Sequence, residues 1–499
     1  AVLARDGHLT RSLAASLADV AALAAWTASR YPNSRAIRVG TAPYHHAGAT
    51  ATQDLAFSLA TAVEYLRAMT HAGMTIDAAA QQLTFSYAIG CNIFLAIAKL
   101  RAARRLWARV AEACGAKDPA RQMLMHVRTS KRVLAARDPW INILRNTACL
   151  FAAGVAGADV ITSTPHDAPL GEPTDAARQL ARNTSHLLAE ECAVHRICDP
   201  AGGSYYIERL TDELCDKAWA IFQSIEGQGG MAAALQSGWI RAQIDSAFAP
   251  HARNIATRKD AILGVSEFPD PAPRPTPRTV DRECIRRDAA SRLSARPERP
   301  SAEVSRTSET SVLDRAVAMA RENAAIFEIY ESLLHDAQPH AHLDIPIHVH
   351  PYAAPFEHLR DACDLYAEQC GVRPSVFLAA VGPLAKRLPR VNFCKDLFIA
   401  GGFRVLEGDG DGNAADIPAA FSRSNAPIAV ICGNDDAYAV VTSLAPALHR
   451  AGAKRVVLAG NPGPNESAYR DAGIDRFVFV KCDVVSLLTD LLAEEGVYA

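Results

Sequence analysis

Between residues 374 and 499 a short apolar, β-branched run is followed by a helical stretch five times over, and few folds accommodate that alternation. The strand candidates are 375–381, 403–406, 427–432, 454–459 and 476–480. Runs this short and this continuously apolar read as strands covered on both faces, and helices between them supply the cover. The pattern predicts a doubly wound, flavodoxin-like parallel sheet. Such a sheet takes its ligand outside the carboxyl ends of the strands.

The first 265 residues alternate in the same way over a longer period. Strands are predicted at 36–40, 83–88, 124–129 and 158–163, with helices over 13–23, 54–70, 92–113, 140–154 and 211–226. Parallel βα units follow from that order. Between the two regions, residues 266–370 change character. Pro269, Pro271, Pro273, Pro275 and Pro277 leave no room for helix or central strand. Arg282, Arg286, Arg287, Arg292, Arg296 and Arg299 follow, and the stretch reads as an exposed, solvated tether leading to a helix near 311–336. Three segments result: 1–265, 266–370 and 371–499.

Charge and cysteine content exclude several classes. Lys+Arg is 52 and Asp+Glu 54, a net charge of −2, so the chain has no global field for nucleic acid or anionic membrane. With 49% hydrophobic and 21% charged residues, wholesale disorder is excluded. No apolar window is long enough to span a bilayer. The 12 cysteines include no Cys-x-x-Cys pair and lie mostly in apolar stretches; they read as reduced core thiols in a cytoplasmic protein. No Gly-x-x-x-x-Gly-Lys-Ser/Thr loop occurs, so no P-loop nucleotidase is fused here.

Other local features have plain readings. His335, His340, His342, His348 and His350 cluster, but no cysteine or acid completes a ligand set. Gly202-Gly203-Ser204 reads as a tight turn sooner than a phosphate cradle. Gly408-Asp409-Gly410-Asp411-Gly412-Asn413 opens like a calcium loop but lacks the closing glutamate. Arg101, Arg104 and Arg105 share a helix and read as a solvated or partner-facing side.

Several longer motifs carry a resemblance. They are Gly48-Ala49-Thr50 followed by Asp54-Leu55-Ala56, the run Lys99-Leu100-Arg101-Ala102-Ala103-Arg104-Arg105-Leu106-Trp107, Ala181-Arg182-Asn183-Thr184, Asp199-Pro200-Ala201-Gly202-Gly203-Ser204-Tyr205, and Ala354-Pro355-Phe356-Glu357-His358-Leu359-Arg360. Together they resemble the adenosylcobalamin-dependent acyl-CoA mutases, above all the methylmalonyl-CoA mutase family, over nearly the whole chain. The resemblance implies a (β/α)8 TIM barrel threaded by an acyl-CoA thioester in residues 1–265. It implies a cobalamin-binding-type, flavodoxin-like domain in 371–499, and a radical rearrangement begun by Co–C homolysis. Only four barrel strands can be placed, so the resemblance also implies a partial barrel whose N-terminal strands, with whatever they carry, lie upstream of Ala1.

Two departures bear on the role. Family members that bind cobalamin carry Asp-x-His-x-x-Gly after the first strand of that domain, the histidine ligating cobalt. Here the loop reads Gly382-Pro383-Leu384-Ala385-Lys386-Arg387-Leu388-Pro389-Arg390, and neither Cys432-Gly433-Asn434-Asp435 nor Ala459-Gly460-Asn461-Pro462 offers a substitute. The catalytic Tyr-His pair of the family is matched by Tyr44 and His45 when aligned from the left. Aligned from Ala47-Gly48-Ala49 the frame shifts, because the segment is two residues shorter. Arg128-Thr129-Ser130-Lys131 also stands where catalytic members have Gln-Thr-Ser-Gly, and its cations would fill or repolarise the cavity. These departures match the non-catalytic small subunits of heterodimeric bacterial members. The expectation is a chain without its own cofactor or metal, paired with a catalytic large subunit that holds adenosylcobalamin and handles the acyl-CoA. The alternatives are a mutase active by itself, with Tyr44 and His45 catalytic, and a CoA-ester or corrinoid-binding module outside any mutase.

Overall fold

The computed structural model describes residues 2–9, 12–295, 312–322, 324–326, 328–330, 341–342, 347–408 and 413–497. The chain forms two compact units, each discontinuous in sequence. The first comprises residues 1–132, 143–248 and 277–350; the second comprises 133–142, 249–276 and 351–499.

The first unit is built on four parallel strands, β1 (Ile37–Gly40), β2 (Leu83–Ile89), β3 (Leu124–Thr129) and β4 (Val160–Thr162), neighbouring one another in sequence order. Helices α1 (Leu13–Arg30), α2 (Ala42–His46), α3 (Ala51–His71), α4 (Ile93–Ala113), α5 (Ile141–Val155), α6 (Asp175–Glu190) and α7 (Tyr205–Gly227) accompany them. β2 is buried along nearly its whole length. Its side chains meet a continuous apolar core in which Trp107 of α4 lies against Phe85 at 4.7 Å between ring centroids. Rings of this size contribute the largest single burial terms of such a core.

The turn from α2 into α3 is tightly specified. Gly48 has φ of +110°, and a Cβ there would come within 2.7 Å of the Phe248 ring, so a side chain is excluded on two grounds. Thr50 then closes a capping box on α3. Its hydroxyl accepts from the Gln53 backbone N–H, and the Gln53 side chain accepts from the Thr50 N–H at 2.9 Å. Thr50→Ala is expected to lower unfolding free energy by about 1 kcal/mol. The midpoint of a urea transition followed by circular dichroism checks it.

The second unit carries a five-stranded, wholly parallel sheet: β5 (Ser375–Ala380), β6 (Arg404–Glu407), β7 (Ile428–Cys432), β8 (Arg455–Ala459) and β9 (Arg476–Val478). Counted within the sheet, the spatial order is 2-1-3-4-5, the order of flavodoxin-like doubly wound sheets, with its switch point between β5 and β7. Helix α8 (Ala354–Cys370) precedes the sheet. α9 (Leu384–Ala400), α10 (Ile417–Ser424), α11 (Val441–Arg450), α12 (Glu466–Asp471) and α13 (Val484–Glu494) follow the successive strands. β7, the central strand, is buried at every residue, which explains the uninterrupted run Ile428-Ala429-Val430-Ile431-Cys432.

Three local expectations are modified. The arginine-bearing stretch includes a helix, Arg282–Ser294, and the described side chains on it are exposed. The proline-rich stretch is extended but fastened. In the first unit Arg278 donates to Asp167 at 2.6 Å and exchanges backbone hydrogen bonds with Leu170 and Glu172. In the second, Arg274 pairs with Asp361 at 2.8 Å. Prolines remove donors, not acceptors, so the flanking arginines can still tie the segment down. The cysteines are not mostly core: Cys91, Cys114, Cys192, Cys198, Cys284 and Cys370 are exposed. Among the described residues, no helix is long and apolar enough to cross a membrane.

Candidate functional site

The carboxyl ends of β1, β2 and β3 bring together polar residues far apart in sequence. The backbone turns into α2 directly after β1, with Pro43 in the first helical turn, so Tyr44 and His45 stand on a short helix at the strand end and not on a strand. Tyr44 is buried and packs edge-on against Phe57 at 5.2 Å. His45 is buried too. Its Nε2 lies 2.9 Å from the Ser130 hydroxyl, just beyond β3, and its Nδ1 lies 3.7 Å from Asp54 Oδ2, beyond hydrogen-bond length. Asp54, in the first turn of α3, is bound by the Lys99 ammonium from α4. Lys99 also donates to the Ala88 carbonyl at 3.0 Å and sits over the Tyr87 ring. Tyr87 in turn shares a 2.7 Å hydrogen bond with Ser58. Arg132 donates to the carbonyls of His45 and Ala49, locking the turn from the far side.

Sequence reading found the Tyr44–His45 pair but not its surroundings. Asp54 and Lys99 drew notice only as parts of longer motifs. A signal was present for Asp54, a lone charge in a helical stretch whose neighbours are mostly apolar and buried, an arrangement that requires a partner; Lys99, followed by Arg101, Arg104 and Arg105, gave none. Lys131 is exposed, and Arg128 lies half-buried on β3. The cation that closes on the pair is Arg132, one residue past the motif.

Burial sets the protonation of this cluster. It pushes the His45 imidazole down to about 3, with the nearby Arg132 charge adding to the effect. His46 falls to about 4 for the same two reasons. Burial also opposes the Asp54 carboxylate, but the Lys99 ammonium, the largest of the opposing influences, holds the carboxyl well below its usual range. The site at neutral pH is therefore a neutral imidazole beside a carboxylate–ammonium pair. The sign of the pH dependence follows. Unfolded imidazoles take up protons below about pH 6.5, whereas these two stay neutral until far lower. Stability is complete above that pH and drains away on acidification toward about pH 4, with a slope of about 1.4 kcal/mol per pH unit for each imidazole. Urea unfolding across that range checks it, and His45→Gln should reduce the slope by one proton.

The carboxyl edge of the second sheet is the seat at which a corrinoid would have to fit, and its residues do not suit one. His449 is the only histidine in residues 371–499. Its ring nitrogens contact the carbonyls of Ala453 at 3.0 Å and Gly473 at 2.8 Å, which precede β8 and β9, so it lies at the amino end of the sheet. At the carboxyl end, Gly382 has φ of +86° and Pro383 leads straight into α9. Arg387 donates to the Gly382 carbonyl at 3.2 Å, and Lys386 stands 3.7 Å from Asp436. Tyr438 fills the space between the ends of β7 and β8: its hydroxyl donates to the Ala459 carbonyl and accepts from the Gly433 N–H at 3.2 Å. Arg390 covers that ring at 5.1 Å and is held by the Gly433 carbonyl and Asp435. What remains is a cavity of about 430 Å³ bordered by Gly382, Pro383, Lys386, Asn434 and Asp436. Among the described residues it offers amide groups and one ion pair, with no imidazole or thiol suited to cobalt.

The other candidates are placed as follows. Arg101 binds Asp199 through two 2.9 Å bonds and Glu208 at 2.8 Å, while Glu208 also accepts from the Gly203 N–H. The glycine turn is thus occupied by its own chain. Arg104 donates to the carbonyls of Ala156 and Gly157, whereas Arg105 is exposed and pairs with the exposed Asp212, so the solvated side expected of this helix is found at Arg105 only. His335 and His340 lie outside the described residues. His350 lies in a loop, donates from its backbone to the His46 carbonyl and stacks on Phe248. Among the described residues no group of three ligating side chains gathers. Residues 409–412 of the calcium-like loop are outside the described residues.

The sequence profile described as methylmalonyl-CoA mutase matches residues 2–338. A methylmalonyl-CoA mutase small subunit from Streptomyces virginiae is 40% identical over 504 aligned residues, covering 99% of this chain and 69% of that protein. The small subunit from Propionibacterium freudenreichii subsp. shermanii is 33% identical, covering 96% of this chain and 66% of that protein. A methylmalonyl-CoA mutase from Escherichia coli K12 is 37% identical, but over only 51% of this chain and 36% of its own length. The chain therefore spans about two thirds of the length of its small-subunit relatives.

Proposed function

The chain belongs to the methylmalonyl-CoA mutase family, and on that premise we propose that it acts as the small, non-catalytic subunit of an adenosylcobalamin-dependent mutase. In this role it supports a catalytic large subunit that interconverts methylmalonyl-CoA and succinyl-CoA. The observation that carries the reading is the carboxyl edge of the second sheet. The one histidine of that region is turned to the opposite edge, and the described residues around the cavity at the ends of β5 and β7 include no imidazole or thiol. Adenosylcobalamin then resides on the large subunit.

The first unit supports the same reading. Four parallel strands in sequential order suit a portion of an eight-stranded barrel, whose strands neighbour one another in that order. At its strand ends His45 spends Nε2 on Ser130, and Arg132 clamps the turn that carries it. The imidazole that would hydrogen-bond a thioester carbonyl is thereby committed to the protein. Tyr44 and His45 act as structural remnants of a substrate site, and the buried Asp54–Lys99 pair keeps the surrounding helices in place.

The test is to purify the chain alone and mixed with a catalytic large subunit, then measure retained corrinoid and mutase turnover. Alone, it should retain no cobalamin and show no turnover; mixed, it should form a complex of fixed stoichiometry. Lys386→Ala should change neither result. Turnover by the isolated chain would establish the alternative, an independent mutase. Corrinoid retention without a partner would establish a binding module instead.

A further inference from the structure

A second cavity, of about 400 Å³, runs along β6, the edge strand of the second sheet, from Phe403 to Glu407, and not at the crevice between β5 and β7 where doubly wound sheets take their usual ligands. Arg360, Arg373, Lys395, Arg404 and Glu407 line it, together with Pro271 and Pro273. Two of the four cations are spoken for. Lys395 pairs with Glu407 at 2.6 Å, and Arg373 pairs with Asp364. The other two form no ion pair among the described residues. Arg360 is 1% exposed, yet its partners are only the backbone carbonyls of Asp270 and Ala272, and its Nε and Nη1 make no hydrogen bond. Arg404 is exposed, and its guanidinium makes no ion pair or hydrogen bond among the described residues.

A buried guanidinium without a carboxylate is costly, and folded proteins ordinarily pair such a charge. Here neighbouring arginines add to the cost, and the more weakly acting Asp270 and Glu357 offset it only in part. Burial, then Arg137 and Arg373, press the Arg360 guanidinium down to about 10. The wall of the cavity thus carries two positive charges without ion-pair partners among the described residues, beside two neutral pairs. That arrangement suits a dianion, and arginines suit phosphoryl oxygens.

We propose that this cavity binds a phosphoryl dianion, either free phosphate or a small phosphomonoester, with Arg360 as the fixed buried charge and Arg404 as the side chain that reaches the ligand. The site is independent of the mutase reading, since it uses neither the Tyr44–His45 region nor the corrinoid seat.

Isothermal titration of the full chain with inorganic phosphate, and separately with glycerol 3-phosphate, at ionic strength fixed by chloride, tests it. One saturable site is expected for at least one probe. Tighter binding of the ester marks an organic ligand, and equal or tighter binding of phosphate marks the free anion. Arg404→Ala should weaken binding about tenfold or more while leaving the melting temperature of the free chain unchanged. Arg360→Met should abolish binding if it folds; Arg404→Ala keeps the test decisive if it does not. Absence of saturable heat with both probes would overturn the proposal, as would an Arg404→Ala variant that binds like the parent chain.

Discussion

Lys99→Met is expected to lower the unfolding free energy by about 3–5 kcal/mol, because it strands the Asp54 carboxylate in a fully buried site. Asp54 is fully buried, and its second oxygen, Oδ1, already makes no hydrogen bond. The Lys99 ammonium is its strongest counterweight, since His45 is neutral and its Nδ1 is 3.7 Å away. Removing the ammonium should also lift the Asp54 carboxyl back toward protonation. The loss would then grow smaller at low pH, where the acid can go neutral, and larger at neutral pH. The double variant Asp54→Leu with Lys99→Met removes both charges and should recover most of the loss. Urea unfolding of the parent, the two single variants and the double variant measures the coupling. If Lys99→Met costs no more than an exposed lysine would, the pair does not hold the site together.

Arg137→Met is expected to cost about 3 kcal/mol, toward the lower end for a broken buried pair. Arg137 is 2% exposed and bridges Asp361 at 2.5 Å and Asp364 at 2.6 Å, both on α8. Two things limit the loss. Asp361 keeps Arg274 and is more than a third exposed, so water takes up part of its charge. Asp364 keeps Arg373. Both bonds come from Nη2 alone, so Arg137→Lys, whose ammonium also carries several donors on one nitrogen, should recover most of the loss. Thermal melting of both variants checks the order: parent, then lysine, then methionine.

Much of the fold was legible because it follows from short-range pattern. The run 124–129 coincides with β3, and 83–88 falls one residue short of β2. The strand predicted at 158–163 shrinks to Val160–Thr162, where the carbonyls and side chains around it take over the hydrogen bonding. The helix predicted from 211 begins at Tyr205, because Ser204 and the glycine turn before it set the start. The candidate site was legible only in part. Tyr44 and His45 stood out as a motif, whereas Ser130, 85 residues from His45, and Lys99, 45 residues from Asp54, become partners only when β1, β2 and β3 lie side by side. Arg101 read as a solvated charge because nothing local names Asp199 and Glu208, about a hundred residues on, as its partners.

The sequence by itself determined that two parallel α/β sheets would form and that no imidazole follows the first strand of the second sheet. Both are properties of contiguous residues, namely apolar runs at strand length and the composition of one loop. Only the tertiary structure decided that His449 sits at the amino edge, that Tyr438 fills the space between the carboxyl ends of β7 and β8, and that Arg360 is buried without an ion-pair partner among the described residues. Those facts depend on the strand order 2-1-3-4-5. Sheet order decides which loops become neighbours, and side-chain partners across such loops are separated by tens of residues that no local pattern can pair.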